Sequence, residues 1–173
     1  MTGNSGTGKS TVCAVLQQRG HLAADADRGG YCHWVDRTTG AVVADPPEPV
    51  PAGWLNRFGW QISRGRVEAL AVNSDDKTAF LCGNIENEQD VLNLFDLVVC
   101  LVVDDETLID RIQTRTTNSF GQHPEELAAI MWWNPKMETN YRAIGATIID
   151  GTLPPAEIAN AVLAAAERIV HPN

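Results

Sequence analysis

The chain has 173 residues, a length that suits one domain, residues 1–173, with a hydrophobic core that needs no covalent staples. Apolar residues make up 44% and charged residues 20%, which fits an ordinary globule and excludes a disordered chain. Thirteen basic against twenty-two acidic residues give a formal charge of −9, which argues against a general binder of nucleic acid or of anionic membrane.

The first element is the most informative. Gly3-Asn4-Ser5-Gly6-Thr7-Gly8-Lys9-Ser10 fits the phosphate-loop pattern G-x-x-x-x-G-K-[ST] in full. Glycines let the backbone curl so that successive N–H groups face a polyphosphate. Lys9 supplies positive charge to the β and γ phosphates, and the Ser10 hydroxyl is placed for Mg²⁺. A helix starting near Lys9 aims its positive end at the same anion, and Thr11 adds a second hydroxyl. Val12, Val15 and Leu16 give that helix one apolar face, and Gly20 stops it. Such a loop should follow a buried strand of about five residues. Only Met1 and Thr2 precede Gly3, so the first strand is expected to be truncated.

His21–Asp25 reads as the second strand, with Asp25 and Asp27 at its carboxyl end. Residues 28–53, with Pro46, Pro47, Pro49 and Pro51, read as a loop carrying a small hairpin around Thr38-Thr39-Gly40. A helix is predicted over Trp54–Val72, a strand over Lys77–Cys82 ending at Gly83-Asn84, and a short helix over Asn87–Leu94. Leu97–Val103, the longest apolar run at seven residues, is far too short to cross a bilayer and reads as a strand buried on both faces. Asp104 or Asp105 caps a helix reaching about Arg115; the two acids read as helix caps rather than as metal ligands. A polar loop precedes a helix that starts at Pro124 and is interrupted at Pro135. Ala146–Ile149 is the last strand, and Pro154-Pro155 open the terminal helix. Strands alternating with helices predict a parallel sheet covered on both faces. Ligands in such sheets lie beyond the carboxyl ends of the strands.

Three further groups stand at or near those ends. Asp25 and Asp27, two apart, would present both carboxylates to the phosphate loop if the chain is extended; one could orient or deprotonate an acceptor hydroxyl and the other hold Mg²⁺ through water. The same residues would also serve as solvated turn acids. Arg111 and Arg115 share one helix face and could close over the charge that spreads on a transferred phosphoryl group, or pair on the surface with Asp110 or Glu106. Trp54, Arg57, Trp60, Arg64 and Arg66 concentrate aromatic and basic groups that could stack a ring and fork to a phosphate or carboxylate, or form a helix with core tryptophans and a basic outer face. Cys32-His33 has no second pair at zinc spacing. The four scattered cysteines and the absence of a charged-then-apolar leader predict free thiols and a cytoplasmic protein.

In this order of elements the chain resembles the adenylate-kinase-like branch of P-loop small-molecule kinases, which includes nucleoside monophosphate, shikimate and gluconate kinases. The resemblance rests on the phosphate loop, on Asp25-Ala26-Asp27 at the second strand end, and on Arg111-Ile112-Gln113-Thr114-Arg115. It implies an α/β fold of three layers with five parallel strands, a mobile lid, and ATP with Mg²⁺ as phosphoryl donor. By likeness to shikimate kinase, Asp27 would take the acceptor and Asp25 would stand near the metal with Ser10. Residues 111–124 would be the lid, residues 28–72 the acceptor region, and Gly151 would lie where relatives cradle adenine. Gly83-Asn84 matches neither the nucleotide-kinase stretch nor the glycine triplet of shikimate kinases, which leaves Asn84 as an acceptor ligand of unsettled type. The expectation is a kinase with a nucleoside triphosphate and a small acceptor as partners. A nucleoside or nucleoside monophosphate comes first; a sugar acid, shikimate-like acid or antibiotic hydroxyl comes second. A nucleotide-binding switch without an acceptor is the competing class. Oligomeric state is not readable.

Overall fold

The computed structural model describes residues 1–47, 50–74 and 77–170; Pro49 of the proline cluster lies outside them. Strand β1 (Thr2–Gly3) leads into the phosphate loop and helix α1 (Lys9–Gln18). Then come β2 (Leu22–Asp25), β3 (Cys32–Asp36), β4 (Val42–Val43), a single-turn α2 (Trp54–Arg57), β5 (Phe58–Ile62) and α3 (Arg64–Asn73). The second half holds β6 (Ala79–Cys82), β7 (Val99–Val102), α4 (Asp105–Thr114), α5 (Pro124–Ala143), β8 (Thr147–Asp150) and α6 (Pro155–Val170).

β2 pairs with β6 and β1–β7–β8 pair in turn, all parallel. The two ladders join through Met1. Its ammonium donates to Leu81 O at 2.6 Å, and Gly83 N–H donates to Met1 O at 3.1 Å, giving the order β2-β6-β1-β7-β8. β1 spans two residues, so the central junction rests on few bonds. Burial pushes the Met1 ammonium pKa down from its usual value. On one face, Val12 and Leu16 of α1 and Ile158 and Val162 of α6 pack on Val99, Leu101 and Ile149. On the other, Met137 and Tyr141 of α5 pack on Cys100, Val102 and Ile148. The alternation of Val99 and Leu101 with Cys100 and Val102 is that of a strand buried on both faces.

Three local expectations are corrected. The stretch from Trp54 is not one helix: it holds a single turn, a strand and then α3. Phe58-Gly-Trp-Gln-Ile has the aromatic and β-branched content of a strand, and β3 offers it a partner: β5 pairs antiparallel along its whole length, Trp34 opposite Trp60. The hairpin expected around Thr38–Gly40 is present as β3–β4, so residues 32–62 form a three-stranded antiparallel sheet. α5 runs through Pro135 without a break; packing of Ile130, Met137 and Tyr141 on either side outweighs the one lost N–H. Residues 87–94 form two short 3₁₀ turns instead of an α-helix. Asp104 caps α4, its carboxylate accepting from Thr107 N–H at 2.8 Å. Among the described residues no helix is long and apolar enough to cross a membrane.

Candidate functional site

The phosphate loop is a closed, preformed turn. A Cβ on Gly3 would lie 2.6 Å from Leu101 O and 2.8 Å from Thr7 Oγ1, so only glycine lets the loop leave β1 this close to β7. Gly8 caps α1 in the left-handed region at φ 96°. The side chains of Asn4 and Thr7 turn inward and shape the loop itself. Asn4 Oδ1 accepts from Ser5 N–H at 2.9 Å, and Thr7 Oγ1 donates to Asn4 O at 2.9 Å. Asn4 Nδ2 donates to Ile130 O at 2.8 Å and to Asn134 at 3.3 Å, tying the loop to α5. Among the described residues no backbone bond uses the N–H groups of Gly6, Gly8, Lys9 or Ser10. Those donors, with the start of α1, make an anion cradle.

Lys9 closes the cradle. Its side chain is buried, and Nζ donates to Gly3 O and Asn4 O at 2.8 Å each. Burial pushes its pKa down, while the charge of Asp27 opposes that shift and Arg115 adds to it. The ammonium therefore waits inside the loop, facing the charges that border the site. Ser10 and Thr11 sit exposed at the first turn of α1. Ser10 Oγ has no partner among the described residues, and Asp25 Oδ1 accepts only the N–H of Asp27, at 3.0 Å. A hydroxyl and a carboxylate are hard oxygen donors, so the residues present fit Mg²⁺.

The chain is not extended across Asp25-Ala26-Asp27. Gly29 N–H bonds Asp25 O at 2.8 Å, so Asp27 lies in a turn. Its carboxylate is reached instead from the antiparallel sheet, where Trp60 Nε1 donates to Asp27 Oδ1 at 2.9 Å. Asn84 follows β6 exposed and without a partner among the described residues, at the same sheet edge as Asp25, whose register partner is Cys82.

Arg111 and Arg115, expected from the sequence at a lid, both reach the region of the phosphate loop. Arg111 Nη1 donates to Gly151 O at 2.9 Å, joining α4 to the turn after β8. Gly151 packs on the loop itself: a Cβ there would lie 3.0 Å from Thr7 O. Arg115 Nη2 donates to Ser5 Oγ at 3.1 Å and also to Phe120 O, so it bridges the phosphate loop and the turn before α5. Burial pushes the Arg115 pKa down and the charge of Glu126 opposes it. Glu126, buried at the start of α5, accepts from Gly121 N–H at 2.7 Å and fixes the turn of residues 115–123.

The remaining cations do not converge. Arg57 forks onto buried Asp36 at 2.7 and 2.9 Å and braces the hairpin. Arg64 pairs with Glu68 and bonds Asn93 Oδ1 at 2.9 Å. Arg66 is exposed on α3. Trp54 stacks with Phe58 at 4.1 Å and meets Trp34 edge-on at 6.3 Å, while Trp34 meets Trp60 at 5.2 Å. An aromatic bed thus runs from Trp54 to the indole that touches Asp27. Beside it, Val50, Ala52 and Leu55 face His123, Pro124 and Glu125 across an open cleft. Sequence spacing had no means of finding Trp34 and Asn134, whose partners lie far along the chain, and Glu126, five residues from Gly121, carries no motif that marks it.

Solved structures with this fold include the shikimate kinase of Acinetobacter baumannii in complex with shikimate (TM-score 0.56, 19% identity, 95% of this chain and 89% of that one). A gluconokinase from Sinorhizobium meliloti 1021 matches with TM-score 0.51 and 17% identity over 97% and 90% of the two chains. The Aquifex aeolicus shikimate kinase gives 0.51 and 16% over 96% of each. No curated protein matches at the level of sequence. The fold is therefore that of small-molecule P-loop kinases. The family described as AAA domain matches residues 1–131, which carry the whole phosphate loop, Asp25, Asp27, Arg111 and Arg115, and the chain belongs to that family.

Proposed function

We propose that this protein is an ATP-dependent phosphotransferase that moves the γ-phosphoryl group to a hydroxyl of a small acceptor. The observation that carries the reading is the preformed cradle: free amides at Gly6, Gly8, Lys9 and Ser10 surround a buried lysine, and Arg115 reaches across from the lid to Ser5. Mg²⁺ held near Ser10 and Asp25 would neutralise charge on the phosphates. Lys9 exchanges its two carbonyl bonds for phosphate oxygens. Arg111 holds the turn at Gly151 against the nucleotide, and Arg115 faces the charge that develops on the transferred group. Asp27 accepts the acceptor's hydroxyl proton or orients that hydroxyl. Catalysis is positioning and charge stabilisation without a covalent intermediate.

The acceptor region is residues 28–72 and the lid is residues 111–124. The aromatic bed supports a ring-bearing acceptor, a nucleoside first. Arg57 and Arg64 are held by Asp36 and Glu68, which leaves fewer cations for an acceptor phosphate and weakens the nucleoside monophosphate form of the reading. The same observation favours a second acceptor class, an unphosphorylated hydroxy acid of the kind named for the shikimate kinase and gluconokinase neighbours.

The test is ADP release from MgATP against a panel of nucleosides, nucleotides, sugars and hydroxy acids, with wild type and Lys9→Ala. One acceptor class should raise turnover well above the rate with water, and Lys9→Ala should abolish it with the fold intact. Slow hydrolysis that no acceptor changes would favour a nucleotide-binding switch. Substantial turnover by Lys9→Ala would overturn the site.

A further inference from the structure

We infer that Trp60 is a positioning residue for Asp27, and that through this one hydrogen bond the antiparallel sheet of residues 32–62 sets the attack geometry at the phosphate loop. The inference rests on the phosphotransferase reading and adds to it a part for the sheet that only this chain's own contacts reveal.

Asp27 is an exposed turn residue. Left alone, its carboxylate would sample several rotamers over solvent. Two contacts define it instead. Its N–H is held by Asp25 Oδ1 at 3.0 Å, and its Oδ1 accepts the Trp60 indole N–H at 2.9 Å. An indole nitrogen can only donate, so this contact holds the carboxylate as an acceptor and leaves Oδ2 open. Trp60 is itself fixed from three sides. It lies in β5 opposite Trp34, its ring is 5.2 Å from the Trp34 ring, and Trp60 O accepts from Glu86 N–H at 2.9 Å beyond β6. The donor is therefore anchored to both the antiparallel sheet and the segment that follows β6. The charge of Asp27 is also the largest of those that oppose the lowering of the Lys9 pKa by burial. The indole thus sets the place of a carboxylate that acts on the phosphate-loop lysine, and a misplacement of about 1 Å at a reacting group costs on the order of a hundredfold in rate.

Trp60→Phe keeps the ring stack and removes only the donor. Calorimetric titration with Mg·AMPPNP should give the same affinity within about twofold, while ADP release from MgATP with the acceptor panel falls about tenfold or more at unchanged KM for ATP. A merely structural tryptophan would change both or neither. In ¹⁵N-indole NMR, the Trp60 N–H signal should move when Mg·AMPPNP is added to wild type, and that movement should be lost in Asp27→Ala. Wild-type turnover by Trp60→Phe overturns the inference, as does an indole signal indifferent to Asp27→Ala. If wild type fails to bind Mg·AMPPNP at all, the phosphotransferase reading falls, and the apo indole spectrum of Asp27→Ala still reports whether the bond exists.

Discussion

Around the phosphate loop, every turn of chain is fixed by several neighbours: β1 pairs with β7, Asn4 bonds α5, and Gly3 is pressed against Leu101. The antiparallel sheet of residues 32–62 is attached differently. It meets the main sheet through one backbone bond, Glu86 N–H to Trp60 O, through Ile62 packed with Ala26 and Leu81, and through the side-chain pairs Arg37–Glu86, Asn87–Ile62 and Trp60–Asp27. The first region binds by backbone, so its donors are present before any ligand arrives. The second offers side chains carried on its own antiparallel ribbon. On the proposed function the two divide the work: backbone amides for the triphosphate, and side chains for the acceptor.

The largest expected effect lies where the two regions face each other. Arg115→Ala removes the bridge from Phe120 to Ser5 and, on the proposed reaction, the guanidinium over the transferred group. Turnover should fall about a thousandfold, the lower end for such arginines, with nucleotide affinity changed much less. Single-turnover kinetics beside equilibrium titration would check the split. Equal losses in binding and turnover would mean that Arg115 serves the resting loop rather than the reaction.

The next effect breaks the second region alone. Trp34 joins the Trp54 and Trp60 rings, and Trp34→Ala should cost about 2 kcal/mol, below the fully buried range because the residue is only half-buried. Hydrogen exchange should rise across β3 and β5 while β7 and α1 stay protected. Uniform loss of protection would show one cooperative unit and erase the contrast between the regions.

The same contrast explains what the sequence discloses. The phosphate loop, α1, the doubly buried β7 and the Asp104 cap depend on neighbours within a few residues or on a plain apolar run, and their spacing announces them. β5 does so only weakly: Phe58–Ile62 has strand-like aromatic and β-branched content, but Gly59 and Gln61 dilute it, and it becomes a strand because β3 lies beside it. Arg57 in a basic stretch looks free until folding brings Asp36 to it across a hairpin. Asp25 and Asp27 stand together by spacing alone, but the turn at Gly29 and the indole of Trp60 decide where the second carboxylate points. Local chemistry thus marks the phosphate loop, and long-range pairing hides the region proposed to hold the acceptor.

A smaller effect reaches the hairpin through acid. Arg57 and then the N–H of Thr38 hold the Asp36 carboxyl below its usual range. A carboxylate with a lowered folded pKa contributes stability that is present above its unfolded value of about 3.8 and is lost as pH falls through the folded value. Asp36→Asn should therefore destabilise the hairpin at neutral pH and flatten the acid limb of the unfolding curve. If the acid limb keeps its slope, the pair with Arg57 is too exposed on the arginine side to matter.

The smallest effect belongs to the regular region and serves as its control. Asp104 accepts both the N–H and the hydroxyl of Thr107 at 2.8 Å each, and these bonds hold its carboxyl below the usual value. Asp104→Ala should lower the melting temperature by a few degrees at pH 7 and loosen the first turn of α4, whose far end carries Arg111 and Arg115. By the same sign, the difference from wild type should shrink as pH falls below about 3.8, because protonation removes the acceptor that the substitution removes. Since α4 also packs through buried Leu108 and Ile112, the arginines should keep their places and turnover should change little. A large loss of turnover with so small a thermal shift would show that the cap, and not the buried face of α4, sets the angle at which the lid arginines reach the loop.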